Sequence, residues 1–284
     1  MVDANQARRL VILGTGGTIA GRAAQASDHV GYVAGQVGVG ELVQAVPALA
    51  GLSLDVEQVA QVDSKDMGLP VWQALARRIA VHLERPEVSA VIVTHGTDTL
   101  EETAFVLQQL FRPGKPVVLT CAMRPASALV PDGPQNLSDA VAVARHTDAC
   151  GVVVVCAGQV HGALEVAKVH TYRLNAFDSG DAGPLGCVEE GRLRVWQAWP
   201  EPAAPSRTEL TPGWPMRITK SCSIRNSRIS PSNCTAAPTP DPPRPSRPTN
   251  HWSSSNPTMS STASGYRACP ASSTWATPGR CWRW

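Results

Sequence analysis

Two threonines, an aspartate and a lysine are the residues of this chain best suited to chemistry. Thr18 closes the turn of "RLVILGTGGTIAG", residues 9–21. Thr97 and Asp98 stand together in "VIVTHGTDTLEETA", residues 91–104, and Lys168 lies in "EVAKVHTYRLNAFDSGDAGPLG", residues 165–186. A hydroxyl is a weak nucleophile until a neighbour takes its proton. A hydroxyl beside a carboxylate, with a lysine as candidate base, points to nucleophilic catalysis from a tight turn. Gly16 and Gly17 allow unusual backbone angles and close approach of a substrate there. The bland alternatives are a βα turn capped by Thr18 and a solvated loop lysine at 168.

Two other loop chemistries fit poorly. A dinucleotide fingerprint needs Gly-x-Gly-x-x-Gly and an acidic residue about 20 positions on. Gly14 and Gly16 start that pattern, but Ile19 stands at its third position and the acid is missing. A phosphate loop needs Gly-Lys-Ser/Thr, and the lysine is absent.

The elements that must hold these residues are legible over 1–200. Apolar runs at 9–13, 56–62, 90–94, 117–121 and 151–156 have strand length. They are continuous, as parallel strands buried on both faces are. Helical patterns at 40–49, 70–84, 99–111 and 134–146 alternate with them, the first perturbed by Pro47. Pro70 suits a first helical turn, and Thr99 with Glu102 suggests a capping box. Alternation of this kind predicts an α/β fold with a doubly wound, mostly parallel sheet. Sites in such sheets lie at the carboxyl ends of strands, where both threonine motifs fall.

Composition divides the 284 residues unevenly. Residues 1–210 carry 16 Lys+Arg against 22 Asp+Glu, a net charge of −6. Residues 211–284 carry 9 against one, Asp241, a net charge of +8. That segment has no Leu, Val, Phe or Glu, and 35 of its 74 residues are Ser, Thr or Pro. Such text supplies no packed core. It reads as a disordered basic tail or as the product of a shifted reading frame. No signal peptide or membrane-length apolar run is seen. The eight cysteines form no Cys-x-x-Cys, and Cys121 and Cys156 read as buried free thiols. The expectation is a cytoplasmic protein without metal or other cofactor, and without nucleic-acid or membrane partners.

"LGTGGTIAG" together with "VTHGTDTLEETA" resembles the bacterial-type L-asparaginase/glutaminase family of amidohydrolases. The likeness continues through "YVAGQVGVGELVQAVP" (32–47), "VDSKDM" (62–67), "LTCAMRP" (119–125), "DGPQNLSDAV" (132–141), "VAKVHTYRLNAFDS" (166–179) and "GPLG" (183–186). It implies a flavodoxin-like catalytic domain over 1–200. It also implies hydrolysis of L-asparagine through a threonine acyl-enzyme that releases ammonia, with L-glutamine left open as a second substrate. Thr18 matches the nucleophile and Tyr32 the flexible-loop tyrosine that hydrogen-bonds it. Thr97, Asp98 and Lys168 match the second threonine and its partners. Ser64 and Asp98 match the residues that bind the α-carboxylate and α-amino groups of the substrate. Ala122 matches the backbone position near the leaving amide. Lys65 stands where relatives often have Gln, inside the substrate-contacting stretch. His95, before a tight turn, reads as structural.

The resemblance further implies a homotetramer in which a neighbouring subunit lends an Asn and a Glu to each site. That contribution comes from a smaller second domain, for which residues 201–284 offer no match. Three other readings therefore stay open: an inactive truncated or frameshifted homologue, a tRNA-linked amidase relative, and a binding protein with a basic tail.

Overall fold

The computed structural model describes residues 8–202, so the expectations for the remainder of the 201–284 segment lie outside the described residues. The five apolar runs form β1 (Arg9–Gly16), β2 (Leu54–Val62), β3 (Val88–Thr94), β4 (Val117–Thr120) and β5 (Val152–Cys156). They lie parallel in the order β2-β1-β3-β4-β5. The helices are α1 (Val39–Gln44), α2 (Leu69–Glu84), α3 (Leu100–Phe111) and α4 (Gly133–Ala144). Pro70 occupies the first turn of α2, where its missing N–H leaves no helical bond unmade. Pro47 does more than perturb the first helix. The α-helix stops at Gln44, and Pro47–Leu49 forms a separate 3-10 turn.

β1 explains why its run is continuous. Leu10 and Ile12 face one apolar layer with Val39 and Leu137, from α1 and α4. Val11 and Leu13 face the other with Leu75, Ile79, Leu100 and Leu107, from α2 and α3. Both faces are buried, so period 2 leaves no polar alternation. Each such Leu or Ile contributes roughly 1.5–3 kcal/mol relative to exposure. β2 lies at the edge and is only half-buried. Its Asp55 and Glu57 pair with Arg9 and Arg78, both at 2.5 Å, and such charges discourage edge-to-edge association.

Five short strands were not legible in the sequence: β6 (Gln159–Gly162), β7 (Ala167–Lys168), β8 (Phe177–Asp178), β9 (Gly186–Glu189) and β10 (Arg192–Val195). β6, β9 and β10 extend the sheet antiparallel beyond β5. β7 and β8 form a separate two-stranded ribbon. At two to four residues each, they are too brief to show a period. Cys121 and Cys156 are buried free thiols with their Sγ atoms 3.5 Å apart. Among the described residues no helix is long and apolar enough to cross a membrane.

Candidate active site

β1 leaves the sheet through two glycines with positive φ, 100° at Gly16 and 77° at Gly17. The Gly17 N–H donates to the Val62 carbonyl at 2.8 Å, which ties this exit to the end of β2. Thr18 then opens a single 3-10 turn and is buried. Its Oγ1 lies 2.6 Å from the Tyr32 hydroxyl. Arg22 and Val33 exchange two backbone hydrogen bonds of 2.9 Å, which fold the Tyr32 segment back onto the turn. The Tyr32 ring lies over Gly21, where a Cβ would approach it to 2.7 Å.

β3 ends at Thr94 and runs into His95 and Gly96. The indole of Trp72 can only donate, and it donates to the Thr103 hydroxyl at 2.9 Å. That hydroxyl therefore donates to His95 Nε2 at 3.0 Å, and His95 Nδ1–H donates to the Gly96 carbonyl at 2.7 Å. The tautomer is fixed by its partners. Burial lowers the His95 pKa to about 4, so the ring is a neutral strut under the loop.

Beyond Gly96, the Lys168 ammonium donates to Thr97 Oγ1 at 2.8 Å and to Asp98 Oδ1 at 2.7 Å. Thr97 is buried, the Lys168 side chain is 17% exposed and that of Asp98 is 51% exposed. The cluster thus opens to solvent on its carboxylate side. Ser64, buried at the start of the 3-10 turn Ser64–Asp66, accepts the Asp98 N–H on its Oγ at 3.2 Å. Its carbonyl accepts the Thr99 hydroxyl at 2.8 Å. This corrects the capping-box expectation. Thr99 does occupy the N-cap of α3 but makes no side-chain cap bond, because its hydroxyl stitches two loops together.

Lys65 shares the Ser64 turn but is 62% exposed and turned onto its own acidic neighbours. Its ammonium lies 2.5 Å from Asp63 and 3.3 Å from Asp66. The hydrogen bond it donates to the Asp63 carboxylate chiefly raises its pKa. Ala122 is fully buried after β4, in one apolar cluster with Ile19. The turn that follows it is braced by Asp132, whose carboxylate accepts the N–H groups of Met123 and Arg124, both at 2.9 Å. Asn136 donates to the Cys121 carbonyl at 2.9 Å and accepts the Ala157 N–H at 3.0 Å.

Two contact sets thus arise from the named residues, Thr18–Tyr32 and Thr97–Asp98–Lys168, with Ser64 bonded to the second. Ala122 lies behind the first, and Lys65 is engaged elsewhere. Residue-by-residue reading missed Asp132 and Asn136 as braces. Their signal is the "DGPQN" run (132–136), a carboxylate and an amide one helical turn apart at the start of α4.

Residues 9–201 match the family model described as Asparaginase, N-terminal. The glutaminase-asparaginase of Pseudomonas fluorescens biotype A is 40% identical over 186 residues, covering 64% of this chain and 51% of that protein. The Haemophilus influenzae protein named "Probable L-asparaginase periplasmic" is 39% identical over 187 residues, covering 65% and 53%. A crystal structure of the probable cytoplasmic L-asparaginase from Campylobacter jejuni aligns with a TM-score of 0.65 at 40% identity, covering 67% of this chain and 59% of that one. Names from both compartments occur among these relatives. The chain spans about half the length of the curated relatives it matches.

Proposed function

Because this chain belongs to the asparaginase family through its residues 9–201, we propose that it hydrolyses L-asparagine, with L-glutamine as the second candidate substrate, to the acidic amino acid and ammonia. Thr18 Oγ1 attacks the side-chain amide carbon, and its proton leaves towards the Tyr32 hydroxyl. Ammonia departs with one added proton, leaving an ester on Thr18. Water cleaves that ester, with Thr97 and Lys168 as the proton relay. Ser64 and Asp98 hold the α-carboxylate and α-amino groups. The backbone at Ala122 faces the leaving amide, and Lys65 bears on the choice between asparagine and glutamine. The homotetramer that the resemblance implies would complete the site through a segment for which residues 201–284 offer no match, and the reaction needs no cofactor.

The observation that carries this reading is the Lys168 ammonium bridging Thr97 Oγ1 at 2.8 Å and Asp98 at 2.7 Å. A buried hydroxyl, a lysine and a carboxylate in series form a proton path without histidine. The Thr18–Tyr32 pair at 2.6 Å supplies the second hydroxyl such a reaction needs.

The test is ammonia release from each amide by the purified chain, with the solution mass read on the same sample, and again for Thr18→Ala. Release by the wild type, abolished in the variant, is the expected result, and the solution mass says whether activity goes with an assembly. Release that survives in Thr18→Ala overturns the nucleophile assignment. An inactive wild type overturns the activity of this chain and favours the truncated-homologue reading.

A further inference from the structure

Lys168 is held at both ends by one short stretch of chain. Its ammonium contacts Thr97 and Asp98, while its backbone N–H donates to Oε2 of Glu101. Glu101 lies in the first turn of α3, three residues beyond Asp98. The ribbon that carries Lys168 pairs Ala167 with Asp178 and Lys168 with Phe177, and the Val169 N–H adds a bond to the Ala176 carbonyl at 2.8 Å. Two strands of two residues are not rigid by themselves, and a lysine stem is flexible along four carbons. Val166, Ala176 and Phe177 seat the ribbon in the core, while the Glu101 carboxylate ties the Lys168 N–H itself to α3, the helix that follows Thr97 and Asp98.

We propose that Glu101 is a positioning residue: its carboxylate clamps the Lys168 backbone to α3 so that the ammonium stays on Thr97 and Asp98. The inference rests on the relay role given to Lys168 above. The clamp works through an acceptor oxygen, not through charge alone. Gln at 101 keeps the oxygen and loses the charge, whereas Ala loses both. A bond to an ionised acceptor is roughly twice as strong as a neutral one, so Glu101→Gln falls between wild type and Glu101→Ala.

The experiment uses the full chain and three readouts. Hydrogen–deuterium exchange reports the Lys168 amide. Competitive acetylation by acetic anhydride, read by mass spectrometry, compares the Lys168 amine with Lys115. Ammonia release from L-asparagine gives kcat and KM. In Glu101→Ala, Lys168 amide exchange is expected to accelerate by roughly 10–100-fold, the loss of one charge-assisted hydrogen bond. Acetylation of Lys168 changes while that of Lys115 does not, and kcat falls about tenfold or more with KM little altered. Glu101→Gln is expected to fall midway between wild type and Glu101→Ala in each readout.

Unchanged Lys168 exchange in Glu101→Ala overturns the clamp. Faster exchange with unaltered acetylation and kcat overturns the positioning role. If Glu101→Ala fails to fold, Glu101→Gln decides: intermediate exchange at Lys168 supports the clamp, and wild-type exchange overturns it. If the wild type releases no ammonia, the proposed function fails by itself, while exchange and acetylation still decide the clamp.

Discussion

Gly17 and Gly96 touch backbone to backbone where the two threonine loops cross. A Cβ on Gly17 would fall on the Gly96 Cα, and one on Gly96 would sit 2.9 Å from the Gly17 Cα and 2.5 Å from the Ser64 side chain. Each threonine motif therefore needs its glycine because of the other motif, 79 residues away. Gly17 also has a φ of 77°, so a substitution there confounds strain with space. Gly96 has no positive φ and tests the crossing alone. Gly96→Ala is expected to destabilise the fold by about 1–3 kcal/mol. Because the loops must part, it should lower ammonia release by about 100-fold. Gly40→Ala is the control, since nothing lies within 4 Å of that site in α1. It should raise stability by roughly 0.5–1 kcal/mol. Denaturant midpoints and ammonia release for both variants check the pair, and equal activities would refute the crossing argument.

Tyr32→Phe isolates the hydroxyl on Thr18. The ring that covers Gly21 is kept, and only the atom 2.6 Å from Thr18 Oγ1 is deleted. A proton acceptor lost from the attacking group lowers the acylation rate by about 10²-fold. KM should move little, because the ring still fills its place. Single-turnover acylation kinetics measure this directly, and a wild-type rate would remove Tyr32 from the reaction.

The parallel half of the sheet was legible because burial on both faces leaves a continuous apolar run, as in "LVIL" (10–13) and "VVVV" (152–155). The short antiparallel strands, in the sheet and in the ribbon, were not. β7 is Ala167–Lys168 alone, and its strand character comes from pairing with Phe177–Asp178, not from propensity. Thr18, Thr97, Asp98 and Lys168 were visible as residue types at strand ends. Their pairing was not, because the Lys168–Thr97 contact spans 71 positions and depends on how the ribbon meets α3. Thr99 misled for a related reason. Its sequence context fits a cap, but the nearby Ser64 carbonyl is a competing acceptor that only the tertiary fold supplies. Lys65 illustrates the reverse: its position beside Ser64 was visible, and its capture by Asp63 and Asp66 was not.

Lys168 can act by charge or by moving a proton, and two substitutions separate these roles. Met at 168 matches the stem and removes the ammonium. Lys168→Met is expected to slow ammonia release on the order of 10²–10⁴-fold. Arg at 168 keeps the charge but holds its proton at every accessible pH. If Lys168 relays a proton between Thr97 and solvent beside Asp98, Lys168→Arg stays as slow as Lys168→Met. Recovery in the arginine variant would make the role electrostatic instead. Steady-state kcat for the two variants, with folding verified by circular dichroism, distinguishes them.

His95 and His161, both buried, give the fold a dependence on pH separate from its chemistry. His161 Nδ1 lies 2.8 Å from the Ser179 hydroxyl, and burial lowers its pKa to about 4, against partial compensation by Asp178. His95 is depressed to about 4 by burial as well. In the unfolded chain both titrate near 6.5. Between pH 6.5 and 4 the unfolded state therefore binds more protons, and native stability falls as pH falls. At pH 5 each histidine accounts for a loss of about 2 kcal/mol relative to neutral pH. Asp139 acts in the opposite sense, because burial raises its pKa and favours its protonated native form. His161→Asn preserves a polar atom near the Nδ1 position and removes one titrating ring. Urea unfolding at pH 5 and 7.5 should show the stability difference shrinking by about 2 kcal/mol in the variant, whatever its effect on absolute stability. Parallel pH profiles for the two proteins would mean that His161 takes up its proton in the folded protein as readily as in the unfolded chain, which would contradict the buried, uncharged ring.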